Sequence, residues 1–229
     1  MIEDPPLLTL KQNIQRPSAE KVQALAKAST SVLVDCLGGR GAMCESIKAI
    51  NQDASHFCGV ALTCDAGPAD NLAVFGALHI ATAGDVVVVA TDAFKATAVI
   101  GDLVLGMAKN NGISAVVTDG CIRDLDGCIA TGLPCYASGI TPNSPARNGP
   151  GTAGYPVSIG GIAVASGDVV VGDRDGVVVV PYARIDEVVD QLIEVLAAEA
   201  ALDAEVARGL VMPEFARSIL ESDRVVWSE

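Results

Sequence analysis

Two valine-rich runs joined through one short helix constrain this chain more than any other feature. Asp85–Ala90 and Ile113–Thr118 are apolar and β-branched almost throughout, as strands buried on both faces are. Between them, Gly101–Lys109 has helical spacing, starts at Gly101-Asp102 and stops at Asn111-Gly112. Strand, helix, strand is a parallel crossover unit, which places ligands beyond the carboxyl ends of its strands. Asp102 then opens the helix, and after twenty intervening residues Arg123-Asp124 follows the second strand and the turn Asp119-Gly120. Residues distant in sequence are thereby predicted to meet at one mouth.

Each residue type there suits a task. Amides at a helix start, here those near Asp102, Leu103 and Val104, can hold an anion. Arg123 presents a planar fork matched to a carboxylate or enolate. Asp124 offers hard oxygen to Mg²⁺ or Mn²⁺, and one carboxylate plus waters suffices for such an ion. The set suits a metal-chelated 2-oxo acid. On spacing alone, a helix cap at Asp102 and an ordinary surface turn at Arg123-Asp124 account for the same residues.

Around this unit, the pattern predicts a helix from Ser18 to about Ala28 and another near Ser31–Leu37, ending at Gly38-Gly39. Strands are expected near Glu45–Ile50 and Gly59–Cys64, and a helix over Asp70–Ile80. Thr141–Tyr155 is a long irregular stretch rich in Pro, Gly and Asn, a length that is usually functional or braced. Pro156–Val180 reads as β-rich, with turns at Gly160-Gly161, Gly167-Asp168 and Asp175-Gly176. A helix from about Ile185 to Arg208 is expected to close the core through Val188, Val189, Leu192, Val195 and Leu196. No linker divides the chain, so 1–229 reads as one domain with a C-terminal helical extension over about 183–229.

Charge and composition exclude several classes. A net charge of −13 argues against nucleic acid, whose phosphates need a basic surface. Seven scattered cysteines without a Cys-x-x-Cys pair read as reduced thiols of a cytoplasmic protein, not as disulfides or a zinc site. Cys121 lies close to the proposed mouth, with no histidine nearby in sequence to activate it. Met1–Pro6 lacks the basic and apolar regions of a signal peptide, and the valine runs are too short to span a bilayer. Asp173-Arg174-Asp175-Gly176 opens like a calcium loop but continues into Val177–Val180, which favours a hairpin turn.

The block Gly101-Asp102-Leu103, Ala108-Lys109, Gly112 and Asp119-Gly120-Cys121-Ile122-Arg123-Asp124 resembles the core signature of the RraA-like family. Thr30–Leu37 is similar to that family's first active-site helix, Pro142-Asn143 to its irregular loop, and Gly167–Pro181 to its closing strand pair. The resemblance implies a three-layer β/β/α swivelling-domain fold with mixed parallel and antiparallel sheets, assembled as a homotrimer or a hexamer. It implies a class II pyruvate aldolase that needs Mg²⁺ or Mn²⁺, acting on 4-hydroxy-2-oxo diacids of aromatic degradation, with oxaloacetate decarboxylation alongside. In that reading Gly101, Leu103, Val104 and Arg123 bind substrate, Asp124 binds the metal, and Asp102 and Arg123 are catalytic.

By position, Asp35 and Glu199 fall where such aldolases carry acids that reach the next subunit's site. Asp35 is one methylene shorter than the usual Glu. Ala69 replaces the glycine of the family's Pro-Gly-Asp-Asn turn; a positive φ there would cost an alanine on the order of 1 kcal/mol, so another backbone path is an open alternative. The competing implication is a non-catalytic regulator that binds ribonuclease E. A methyltransferase role is disfavoured, because no glycine-rich nucleotide loop follows a strand.

Overall fold

The structure is a computed structural model in which residues 6–228 are described. The stretch Met1–Pro5, most of the segment read for targeting signals, lies outside them. Two units divide the chain, residues 1–192 and 193–229, and the division falls inside the C-terminal helical extension.

In chain order the first elements are β1 (Leu8–Leu10), α1 (Ala19–Leu25), α2 (Thr30–Cys36), β2 (Lys48–Ala49) and β3 (Phe57–Asp65). Next come α3 (Leu72–Ile80), β4 (Asp85–Ala90), β5 (Ala98–Ile100), α4 (Asp102–Asn110) and β6 (Ala115–Thr118). Then follow β7 (Cys121–Ile122), α5 (Leu125–Thr131), β8 (Cys135–Ala137), β9 (Gly139–Ile140) and β10 (Gly151–Ala153). The last are β11 (Val157–Ile159), β12 (Ile162–Val164), β13 (Val169–Gly172), β14 (Val177–Val180), α6 (Ile185–Ala207) and α7 (Glu214–Leu220).

The main sheet has nine strands, in the order β1-β10-β3-β4-β6-β8-β2, with β13 branching from β3 and β14 pairing with β13. Its centre is parallel: β3 runs beside β4, β4 beside β6 and β6 beside β8. Outside that centre, β10 and β13 pair with β3, and β2 with β8, antiparallel, while the edge strand β1 runs parallel to β10. The valine run of β4 shows why the layers form. Val87 and Val89 enter a core built with α3, α4 and α5, whereas Val86 and Val88 enter a second core with the β11–β12 hairpin and β14. Alternate residues of one strand thus bury against helices on one face and strands on the other, which is a β/β/α sandwich. Asp85, 2% exposed, starts β4 without an orphaned charge, since Arg16 Nη2 lies 2.6 Å from its Oδ2 and Thr82 donates a backbone amide.

Most of the expected elements are present, with two structural corrections. Only Ile185, Val188 and Leu192 of α6 are buried, while Val195 is half-buried and Leu196 is 39% exposed. The C-terminal helix therefore closes the core over its first two turns only. The second correction is a small separate sheet, β5-β7-β9, that the sequence pattern did not reveal. The residues from 193 onward form the rest of α6 and the short α7, and carry exposed Ile193, Phe215 and Trp227. Among the described residues no helix is long and apolar enough to cross a membrane.

Candidate functional site

The small sheet sets the site. β5 and β7 are parallel neighbours, so the chain leaves both at the same edge, at Gly101 from one and at Arg123 from the other. The Arg123 amide donates to the Ile100 carbonyl at 3.0 Å, which locks the two exits together. Arg123-Asp124 therefore follow β7, not the main-sheet strand β6 as the crossover pattern suggested. Gly101 leaves room for both side chains: a Cβ there would lie 2.9 Å from Asp124 Oδ2 and 3.2 Å from Arg123 Nε, so one of them would have to shift.

Arg123 is held from two sides. Its Nε lies 3.2 Å from Asp124 Oδ2, and its Nη1 donates to Ser144 Oγ. Asp124 sits in the left-handed region at φ 56°, a conformation that costs a non-glycine residue on the order of 1 kcal/mol or more. It opens α5, and its carbonyl accepts the Cys128 amide at 2.9 Å. The Cys128 thiol donates to the Arg123 carbonyl at 3.1 Å. Burial first, then the nearby Asp102 and Asp124 carboxylates, push that thiol up to about 11, so it is a neutral donor and not a nucleophile. Cys121 is buried and its thiol is also raised by burial, which leaves it unsuited to nucleophilic attack.

At the start of α4, Asp102 Oδ1 accepts the Leu103 amide at 2.7 Å, and the Val104 amide donates to the Gly101 carbonyl at 3.1 Å. Both amides expected to grip a substrate carboxylate are thus already bonded within the chain. A ligand oxygen would have to displace Asp102 to reach Leu103.

A cavity of about 100 Å³ lies here, and Asn71, Phe75, Asp102, Met107, Arg123 and Arg147 are among its walls. Asn71 is 2% exposed; its Nδ2 donates to the Val99 carbonyl at 3.1 Å, while its Oδ1 is the buried side-chain atom without a partner among the described residues. A buried acceptor left unpaired costs about 1–3 kcal/mol, which a hydroxyl or amine of a ligand would recover.

Asn71 entered the sequence reading only as a turn residue, and Arg147 and Ser144 not at all. All three are delivered by the irregular stretch and the turn it is strapped to. Asp70 accepts the amides of Leu72, Asn148 and Gly149 at 2.8, 2.6 and 3.2 Å. Backbone bonds join Asn71 to Ala146 and Ala146 to Ala69. Ala69 keeps a positive φ of 60°, so the alanine adopts the glycine-type path instead of avoiding it.

Asp35 and Glu199 are the other two expected acids. Asp35 is exposed on α2 and lines a different cavity of about 330 Å³, beside Thr30, Glu45, Lys48 and Asp175. Glu199 is exposed on the part of α6 that belongs to the second unit. Asp173-Arg174-Asp175-Gly176 is the β13–β14 hairpin turn, and Asp173 caps α2 by accepting the amide and hydroxyl of Thr30, each at 2.8 Å.

The donor set bears on which metal fits. Among the described residues no three His, Cys, Asp or Glu side chains converge as a metal cage. Asp124, 47% exposed at its side chain, has one oxygen shared with Arg123. A single accessible carboxylate suits a mostly hydrated magnesium-type ion and not a zinc-type site.

The sandwich, the small sheet and the Gly101/Arg123-Asp124 edge define a class. The profile of the RraA-like family (Aldolase/RraA) matches residues 30–179, and the chain belongs to this family. It is 36% identical over 162 residues to a protein of Halalkalibacterium halodurans, provisionally named a 4-hydroxy-4-methyl-2-oxoglutarate aldolase, covering 71% of this chain and 77% of that one. The crystal structure of Streptomyces coelicolor RraAS2, described as an unusual member of the RNase ES inhibitor RraA family, superposes with a TM-score of 0.73 at 28% identity, covering 83% of this chain and 100% of that one. The RNA-processing inhibitor RraA from Thermus thermophilis gives 0.62 at 27% identity, over 67% and 93%.

Proposed function

We propose that this chain is a divalent-metal-dependent pyruvate aldolase that splits a 4-hydroxy-2-oxo diacid, such as 4-hydroxy-4-methyl-2-oxoglutarate, and also decarboxylates oxaloacetate. The observation that carries this reading is the guanidinium of Arg123, fixed by Asp124 and Ser144 at the wall of a cavity that a second cation, Arg147, also lines. A fixed guanidinium stabilises negative charge that develops on an adjacent oxygen, and here that oxygen is the C2 carbonyl as the C3–C4 bond breaks. Arg147 supplies a counter-charge for the second carboxylate of a diacid. Asn71 Oδ1, buried and unpaired among the described residues, would accept a hydrogen bond from a substrate hydroxyl. Asp102, half-buried beside Arg123, is the carboxylate available to take the C4 hydroxyl proton, directly or through a water.

Asp124, through the oxygen not engaged by Arg123 and with waters for the rest, would hold a mostly hydrated Mg²⁺ or Mn²⁺. The ion when bound neutralises charge on the carboxylate and carbonyl oxygens of the pyruvyl group. Loss of CO₂ from oxaloacetate gives the same three-carbon enolate as retro-aldol cleavage, so both activities follow from one site. Asp35 and Glu199, apart from Arg123 in sequence and exposed, fit a role in which a neighbouring copy in a trimer or hexamer completes the mouth.

Pyruvate release from oxaloacetate and from 4-hydroxy-4-methyl-2-oxoglutarate, with Mg²⁺ and with excess EDTA, tests the reading. Release that EDTA abolishes and Mg²⁺ restores is expected. Turnover indifferent to EDTA contradicts metal dependence. A regulator of ribonuclease E is the second reading, favoured by the likeness to the Streptomyces and Thermus inhibitors. No pyruvate release, combined with saturable binding to purified ribonuclease E, would establish it instead.

A further inference from the structure

We propose that Gly127 is a positioning residue for Asp102, an inference that rests on the aldolase reading of the same site. α4 and α5 pack side by side, and each meets the other's carboxylate at a glycine. Asp124 and Arg123, at the start of α5, lie over Gly101 at the start of α4. In return, Asp102 of α4 lies over Gly127 of α5. A Cβ built on Gly127 would sit 2.6 Å from Asp102 Oδ2, 2.7 Å from its Cβ and 2.9 Å from its Cγ. Contacts under 3.0 Å to Cβ and Cγ cannot be relieved by turning the carboxylate alone. The whole side chain of Asp102, and with it the start of α4, must shift away from Gly127.

Backbone geometry does not demand glycine at 127. The residue lies inside α5 and is not among those with positive φ, so an alanine fits its conformation. Helices disfavour glycine against alanine. A residue type that is locally unfavourable, conformationally unnecessary and in contact with a proposed proton acceptor points to the seating of that acceptor. Asp102 is thus held on two sides, by the Leu103 amide through Oδ1 and by the bare Cα of Gly127 beneath Oδ2.

The test is Gly127→Ala in the full-length chain, assayed for Mg²⁺-dependent pyruvate release from oxaloacetate. A displaced catalytic group lowers kcat by roughly ten- to a hundredfold, with KM little changed. Mn²⁺ affinity, read by EPR titration without substrate, is expected to stay within about threefold of wild type, because Asp124 is seated on Gly101 and not on Gly127. In an Asp102→Gly background, adding Gly127→Ala should cost no more than about twofold in kcat, since the carboxylate it displaces and the Cβ it meets are both already gone.

A Gly127→Ala chain with wild-type kcat overturns the inference, as does a Mn²⁺ affinity that falls in parallel with turnover, which would indicate general damage. Full additivity of the two substitutions overturns it as well. A wild-type chain that releases no pyruvate removes the aldolase reading and this inference together; wild-type turnover with an unaffected Gly127→Ala removes the inference alone.

Discussion

Two aspartate turns, at Asp119 and at Asp124, lie five residues apart and do opposite things. Asp119 leaves β6 of the main sheet and is 6% exposed. It accepts the Thr91 amide at 2.8 Å, the Thr91 hydroxyl at 2.9 Å and the Ala93 amide at 3.1 Å. Those bonds hold a neighbouring turn in which Asp92 and Ala93 both have positive φ, at 55° and 54°. Asp124 leaves β7, carries the positive φ itself, and keeps its carboxylate exposed with one oxygen against Arg123. In the first turn a carboxylate wrapped in donors stabilises strain elsewhere. In the second, the strained residue presents its own carboxylate to a cavity wall. Hydrogen-bond saturation separates the structural acid from the one free for chemistry.

Substituting each turn sharpens the contrast. Asp124→Gly is expected to reduce Mg²⁺-dependent turnover by about 10²-fold or more, as loss of an electrostatic group in a site does elsewhere, without lowering the melting temperature, because glycine relaxes the left-handed backbone. Asp119→Ala should do the reverse. It leaves three donors without their acceptor and is expected to cost about 2–4 kcal/mol in urea unfolding, with kcat per folded molecule largely retained. Equal stability losses in the two variants would erase the distinction.

A smaller effect concerns acid. Burial opposes ionisation of Asp173, but the amide and hydroxyl of Thr30 and the amides of Asp175 and Gly176 outweigh it and hold the carboxyl below its ordinary value. A depressed folded value contributes stability that is fully present above the unfolded pKa of about 3.9 and is lost as pH falls through the folded value. Melting temperatures measured from pH 6 downward should therefore fall less steeply below about pH 4 in Asp173→Asn than in the parent. The smallest expected change is at Ala69. Replacing it with glycine relieves the positive φ but adds freedom to the unfolded chain, for a net gain of about 0.5 kcal/mol.

The main layers were legible because the valine run of β4 and the spacing of α4 and α6 carry long, unambiguous periods. The small sheet was not legible. β7 and β9 are two residues each, too short for any period to register. The pattern therefore assigned Arg123 to the end of β6, although its partnership with Asp102 depends on β5 and β7 lying side by side. α5 was masked by Asp-Gly, which reads as a turn.

Asp102, Arg123 and Asp124 were found through a motif. Asn71, Ser144 and Arg147 were not, because backbone bonds between Ala146, Ala69 and Asn71 bring them in from separate segments. The unpaired Oδ1 of Asn71 is visible only once burial is known. Burial along α6 was over-read for a similar reason: helical spacing continues through Val195 and Leu196, whereas the fully buried residues of that helix end at Leu192.

The central claim is that the guanidinium of Arg123 stabilises an enolate oxygen on a pyruvyl fragment. Its most direct test is the Mg²⁺-dependent rate of pyruvate release from oxaloacetate by purified Arg123→Ala, measured beside the parent chain at matched folded concentration. A loss of about 10²–10³-fold or more is expected, equivalent to removing a principal oxyanion donor. Turnover within a fewfold of the parent would show that the charge is stabilised somewhere else.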